Sequence, residues 1–153
     1  MNRYEIIAEN CVSTEQVIEP KDAHILVVED NLQNMLLLSR LLDHIGVKSY
    51  QWKASGWQMF DVIEEMPRVD VILLDINLPQ EDGYEVLAKI KADPRLSETR
   101  VIAVTANAHP ETMNKARQVG FNGFLGKPIK PANFPAQLVD ILQGKDVWNL
   151  GQN

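Results

Sequence analysis

Residues 69–84 read VDVILLDINLPQEDGY, and the run Val71-Ile72-Leu73-Leu74 ends abruptly on Asp75. A short, continuous apolar run suits a strand buried on both faces, the habit of parallel sheets covered by helices. A carboxylate at the tip of such a strand is costly to bury unless charged or polar groups meet it. The unit recurs to either side. His24 to Val28 is a second short apolar run, and Leu32 to Ile45 carries leucines at helical spacing before Gly46, a common helix stop. Val47 to Trp52 reads as a strand, Ser55 to Met66 as a helix stopping before Pro67, and Tyr84 to Ala92 as a helix ended by Asp93-Pro94. Val101 to Val104 is a strand, Pro110 to Val119 a helix followed by Gly120, and Asn122 to Leu125 a short strand. The last helix runs from about Phe134, with Asn133 as its cap, to Leu142. Five strands alternating with five helices imply a doubly wound α/β domain built on a parallel sheet.

Residues 1–22 lack a convincing period and read as an N-terminal extension; residues 23–143 form the domain, and 144–153 a C-terminal tail too short for another. The 153 residues suit one domain with a real core. Hydrophobic residues make up 45% and charged ones 24%, near the globular average, which argues against wholesale disorder. A net charge of −6 argues against a nucleic-acid footprint, which needs a clustered basic face. No apolar run is long enough to span a membrane, and the first residues are not a signal peptide. Cys11 is the single cysteine, so no internal disulfide forms and a cytoplasmic setting is the simplest expectation.

The polar residues that follow the strands carry the chemistry. Glu29-Asp30 ends the first strand, Asp75 the third and Thr105 the fourth, while the fifth leads into Gly126-Lys127-Pro128. In an open parallel sheet these carboxyl ends form one rim, where ligands bind. Three carboxylates there repel one another, and a hard divalent cation relieves the repulsion by taking oxygen ligands. Mg2+ bound this way keeps positions for water and phosphate oxygens. A carboxylate is also an established nucleophile toward phosphorus, with an ammonium and a hydroxyl available to the phosphoryl oxygens.

The set VVEDN (27–31), LLDINLPQEDGYEVL (73–87), VIAVTANA (101–108) and FNGFLGKPI (121–129) resembles the receiver domain of two-component response regulators. The resemblance covers about residues 23–143, with the motifs in order. It implies a flavodoxin-like (βα)5 fold with strand order 2-1-3-4-5. Asp75 would be the phosphoacceptor, fed by a histidine kinase or a histidine phosphotransfer protein. Glu29, Asp30 and Asp75, with the backbone carbonyl of Asn77, would hold Mg2+. Thr105 and Lys127 would respond to phosphorylation, Phe124 would match the aromatic switch position, and Lys127–Pro128 would be cis. The side chains of Asn77 and Asn107 would tune the phosphoryl lifetime. Output would run through the face of the fourth helix, fifth strand and fifth helix, including Met113, Arg117, Phe124 and Phe134, to a downstream protein or a second copy.

Simpler readings compete residue by residue. A lone aspartate at a strand end is commonly a turn or cap residue, Glu29 and Asp30 could cap the following helix, and Phe124 is the kind of aromatic that usually fills a core. His24, His44 and His109 have no spaced partner for a metal and read as surface or capping residues. Trp52, Trp57 and Trp148 lack interleaved basic residues, which disfavours a nucleic-acid platform. Among functions of other classes, a phosphatase of the haloacid-dehalogenase type would want a second acid where Asn77 stands. A flavin module of the same topology would find its phosphate repelled by Glu29-Asp30. A DNA-binding regulator, or the receiver of a larger hybrid kinase, would carry further domains. The expected activity is that of a signalling acceptor that phosphorylates itself from a donor and slowly loses the group, rather than a turnover enzyme.

Overall fold

A computed structural model of the chain describes residues 17–151. Most of the expected N-terminal extension, residues 1–16 with Cys11, lies outside them. The elements follow the alternation of apolar runs and helical stripes. They are β1 (His24–Val28), α1 (Leu32–Ile45), β2 (Ser49–Lys53), α2 (Gly56–Ile63) and β3 (Val71–Asp75). A two-residue hairpin, β4 (Asn77–Leu78) and β5 (Glu81–Asp82), precedes α3 (Gly83–Ala92). Then come β6 (Arg100–Thr105), α4 (Pro110–Val119), β7 (Gly123–Gly126), α5 (Phe134–Leu142) and β8 (Val147–Asn149).

The main sheet has the order β2-β1-β3-β6-β7-β8, and all its neighbours are parallel. Its first five strands give the expected 2-1-3-4-5 arrangement of a flavodoxin-like fold. The sixth corrects the reading of residues 144–153 as a mere tail: Val147, Trp148 and Asn149 pair with Gly123, Phe124 and Leu125. The segment before β1 is also integrated, since the Ile18 amide donates to the Leu142 carbonyl at 3.0 Å.

Local chemistry explains the boundaries. Asn31 caps α1 by accepting from the Asn34 amide at 3.0 Å, and Gly46 ends it in the left-handed region at φ 105°. Ser55 caps α2 by accepting from the Gln58 amide at 3.3 Å. That helix stops at Ile63 rather than Met66. The Glu65 and Met66 amides bond three residues back, tightening the chain ahead of Pro67. Asn133 stands at the start of α5 as expected, but its side chain makes no capping bond.

The sheet divides the core in two. On one side Leu26, Val28, Ile72, Leu74 and Ala103 pack with Met59, Leu87, Ile90 and Ala116 of α2, α3 and α4. On the other, Ile25, Val27, Leu73, Ile102 and Leu125 pack with Leu38 and Leu42 of α1 and Phe134, Leu138 and Ile141 of α5. Each fully buried Leu, Ile or Phe contributes about 1.5–3 kcal/mol over its exposed state. Both faces of β3 are buried, which accounts for its unbroken apolar run. No helix among the described residues is long and apolar enough to cross a membrane.

Candidate functional site

Strand register builds the site. Val28 pairs with Leu74, Asp75 with Val104, and Thr105 with Gly126. The residues just beyond these pairs, Glu29 and Lys127, therefore stand on the same rim as Asp75. The carboxylates of Glu29, Asp30 and Asp75 place ligand atoms within 4.8 Å of one another. Glu29 and Asp75 are buried, while Asp30 is exposed and leaves the cluster open on one side.

Lys127 reaches into this group. Its ammonium lies 2.7 Å from Glu29 Oε1 and 2.9 Å from Asp75 Oδ2. Burial works to lower the pKa of this amine. The hydrogen bonds and charges of Glu29 and Asp75 outweigh burial and hold it above the ordinary lysine value. The remaining oxygens are also engaged: Glu29 Oε2 accepts from the Asn31 amide at 3.0 Å, and Asp75 Oδ1 from the Asn77 amide at 2.9 Å. Lys127 precedes Pro128 through a cis peptide bond, as expected, and its amide donates to the Thr105 carbonyl at 2.8 Å.

Thr105 is fully buried. Its hydroxyl oxygen accepts from Asn77 Nδ2 at 2.9 Å and from the Asn107 amide at 3.0 Å. Glu29, Asp30, Asp75, Thr105 and Lys127 are thus brought together, and Asn77 joins them through its side chain as well as its amide. Phe124 does not take part in the cluster. It is fully buried against Ala103 and Ala116 on the α2–α4 side, the simpler reading of that residue. Phe134 is fully buried on the opposite side of the sheet, so these two members of the expected output face are core residues. His24 lies at the far end of β1, where its Nδ1 meets the Ser49 hydroxyl at 2.8 Å.

Three supports went unread in the sequence. The Trp52 indole donates to the Glu29 carbonyl and fixes the turn that presents Glu29 and Asp30. The Glu81 carboxylate accepts from the Gly56 amide at the start of α2 and ties the hairpin after Asp75 to that helix. Gly83 packs so closely that a Cβ there would stand 2.5 Å from Ile76 Cα, and its amide donates to the Ile76 carbonyl at 3.0 Å. Among these, only Gly83, a glycine following Glu81-Asp82, carried a signal of tight turning in the sequence.

Chemically, the rim offers two buried carboxylates, Asp75 and Glu29, sharing one ammonium, a buried hydroxyl, and a third carboxylate, Asp30, on the open side. That donor set suits a hard divalent cation and a phosphoryl group. A family profile described as response regulator receiver domain matches residues 25–139. The chain is 36% identical over 110 residues to the polar-differentiation response regulator DivK of Brucella anthropi, covering 72% of this chain and 88% of that protein. It is 35% identical over 108 residues to the hybrid signal transduction histidine kinase H of Dictyostelium discoideum, covering 69% of this chain and 8% of that one. Among solved structures, the receiver domain of a sensor histidine kinase from Pseudomonas aeruginosa superposes with a TM-score of 0.68 and 32% identity, over 80% of this chain and 98% of that one. That structure carries a magnesium ion coordinated in its active-site cleft. Vibrio cholerae chemotaxis protein CheY4 gives a TM-score of 0.69 at 26% identity, over 76% of this chain and 95% of that one. With residues 25–139 matched by the family profile and most of its length covered by relatives, the chain belongs to the response regulator receiver domain family of two-component signalling.

Proposed function

We propose that Asp75 is the phosphoacceptor of this receiver and that Glu29, Asp30, Thr105 and Lys127 are its working partners. The observation that carries the reading is the contact of Asp75 with the Lys127 ammonium inside a cluster of three carboxylates. Three carboxylates less one ammonium leave a formal charge of −2 on the rim, which one divalent cation balances. Glu29, Asp30 and Asp75, with the Asn77 carbonyl, would hold Mg2+, which when bound offsets charge on the phosphoryl oxygens.

The transfer itself is simple to balance. An Asp75 carboxylate oxygen attacks the phosphorus of a phosphohistidine on a histidine kinase or phosphotransfer protein. An O–P bond forms, the N–P bond breaks, and the imidazole nitrogen keeps the electron pair and takes up a proton. Lys127 and the Thr105 hydroxyl stabilise the phosphoryl oxygens. Loss of the group reverses the logic: water attacks phosphorus and Asp75 leaves as carboxylate. Asn77 stands where a haloacid-dehalogenase phosphatase places its second acid, so the chain has no general acid or base there to drive turnover. It acts as a signalling acceptor in a cytoplasmic pathway.

Output follows from a shift in population. Thr105 trades its bonds to Asn77 and Asn107 for the phosphoryl group, and the face of α4, β7 and α5 repacks for a partner protein. The test is incubation of the full chain with Mg2+ and acetyl phosphate, read by intact mass. One added phosphoryl group on wild type, abolished by Asp75→Asn and by chelating the metal, is the expected result. Equal labelling of Asp75→Asn would overturn the assignment.

A further inference from the structure

The α4–β7–α5 face, which the proposed function uses for output, is covered by the chain itself. β8 lies along the outer edge of β7, with Trp148 opposite Phe124. Trp148 and Leu150 pack against the same buried group as Phe124, Phe121 and Ala116, and Met113 and Ala108 join them. The Arg117 guanidinium of α4 stacks 4.3 Å over the Trp148 ring, a cation–π contact that closes the seam from outside. Arg117 is thus held against the tail, and Met113 packs into the same hydrophobic cluster as Trp148.

The fit is shaped on both sides by glycine. A Cβ on Gly123 would stand 2.8 Å from the Val147 carbonyl oxygen. A Cβ on Gly126 would run into the Leu150 carbonyl and stand 2.7 Å from the Ala108 Cβ. Gly151, at φ 80°, turns its own backbone against the Gly126 carbonyl. The Gly151 amide donates to Asn149 Oδ1 at 2.6 Å and holds that turn. Backbone lies on backbone with no room for a methyl group, so small displacements of β7 or of Ala108 are not absorbed.

Those two points lead directly to the site. Gly126 pairs with Thr105 and precedes Lys127, and Ala108 is three residues beyond Thr105. The geometry points to residues 147–151 as an intramolecular cover over the α4–β7–α5 face, seated while Asp75 is unmodified and released when Asp75 is phosphorylated. This rests on the phosphoacceptor reading. Thr105 moving toward a phosphoryl group carries the loop that includes Ala108 away from Leu150, and the close contact at Gly126 is lost. A downstream protein then meets Met113, Arg117 and the edge of β7, whose backbone groups are open to an added strand. Coupling of this kind is reciprocal, so the seated cover must oppose phosphorylation as phosphorylation opposes the cover.

The experiment uses Mg2+ and beryllofluoride as the phosphoryl analogue on the full chain. Amide hydrogen exchange of residues 147–150 is followed with and without it, and beryllofluoride affinity is measured for wild type, Trp148→Ala and a chain ending at Gly144. Exchange of 147–150 should rise at least about tenfold on binding, and both variants should bind the analogue at least about fivefold more tightly. Binding with unchanged or slower exchange at 147–150, or equal or weaker affinity in Trp148→Ala, overturns the cover while leaving the phosphoacceptor reading intact. Absence of binding by wild type removes both. Should the shortened chain not fold, wild-type exchange and Trp148→Ala decide the matter.

Discussion

Lys127 Nζ stands 2.9 Å from Asp75 Oδ2, bridging the tip of the central strand β3 to the loop after β7. The same ammonium holds Glu29 Oε1, so one side chain compensates two buried carboxylates. Removing it leaves both without their cation. Lys127→Met should destabilise the fold by about 3 kcal/mol in urea unfolding, the low end for breaking a buried pair, because the lysine side chain keeps 13% of its exposure. Added Mg2+ should restore part of that loss. A neutral outcome would mean the pair contributes nothing.

The pH dependence of this pair has a definite sign. The folded-state pKa of Lys127 is raised, so its contribution is fully present below the unfolded lysine value of about 10.5 and is lost as pH rises through the folded value. Wild type should therefore lose more stability than Lys127→Met between neutral pH and pH above that value. Parallel pH curves for the two proteins would contradict the pairing.

Metal binding should be visible as stability. With Mg2+ at 100 times its Kd, a ligand bound only by the folded chain adds about 2.7 kcal/mol, or roughly 5–10 °C in Tm. Thermal melts of wild type should show that rise and Asp30→Asn a smaller one. Asp30 is the exposed member of the cluster, so its substitution leaves the core intact. An equal rise in both would remove Asp30 from the metal site.

Gly83 sets the loop that follows Asp75. A Cβ there would stand 2.5 Å from Ile76 Cα, a backbone atom that cannot rotate away. Gly83→Ala should cost about 1–3 kcal/mol and displace the β4–β5 hairpin. Unchanged stability with unchanged amide shifts at Ile76 and Asn77 would show that the contact is looser than it stands here.

How much of this was legible in the sequence depends on where each signal resides. Val71 to Leu74 and Ile25 to Val28 announce themselves because both faces of their strands are buried. Once parallel strands are assigned, Glu29, Asp75, Thr105 and Lys127 fall on one rim by topology alone. β8 carried no such mark. Val147, Trp148 and Asn149 are too few to show a period, and their strand exists because Gly123 and Gly126 let a backbone lie close. The bonds from Asn77 to Thr105 and from Trp52 to Glu29 depend on loop paths that local composition does not encode.

On the phosphoacceptor reading, the phosphoryl group forms a mixed anhydride with one carboxylate, that of Asp75. An acyl phosphate is reduced by borohydride to an alcohol, which turns a phosphorylated aspartate into homoserine. The chain should be treated with Mg2+ and acetyl phosphate, reduced, digested and read by peptide mass. The expected result is homoserine at position 75, in the peptide containing Leu74 and Ile76, with no homoserine at Asp30 or another aspartate and no 5-hydroxynorvaline at Glu29 or another glutamate. A reduced alcohol of either kind elsewhere with position 75 unmodified, or no reduced product at all, would contradict it.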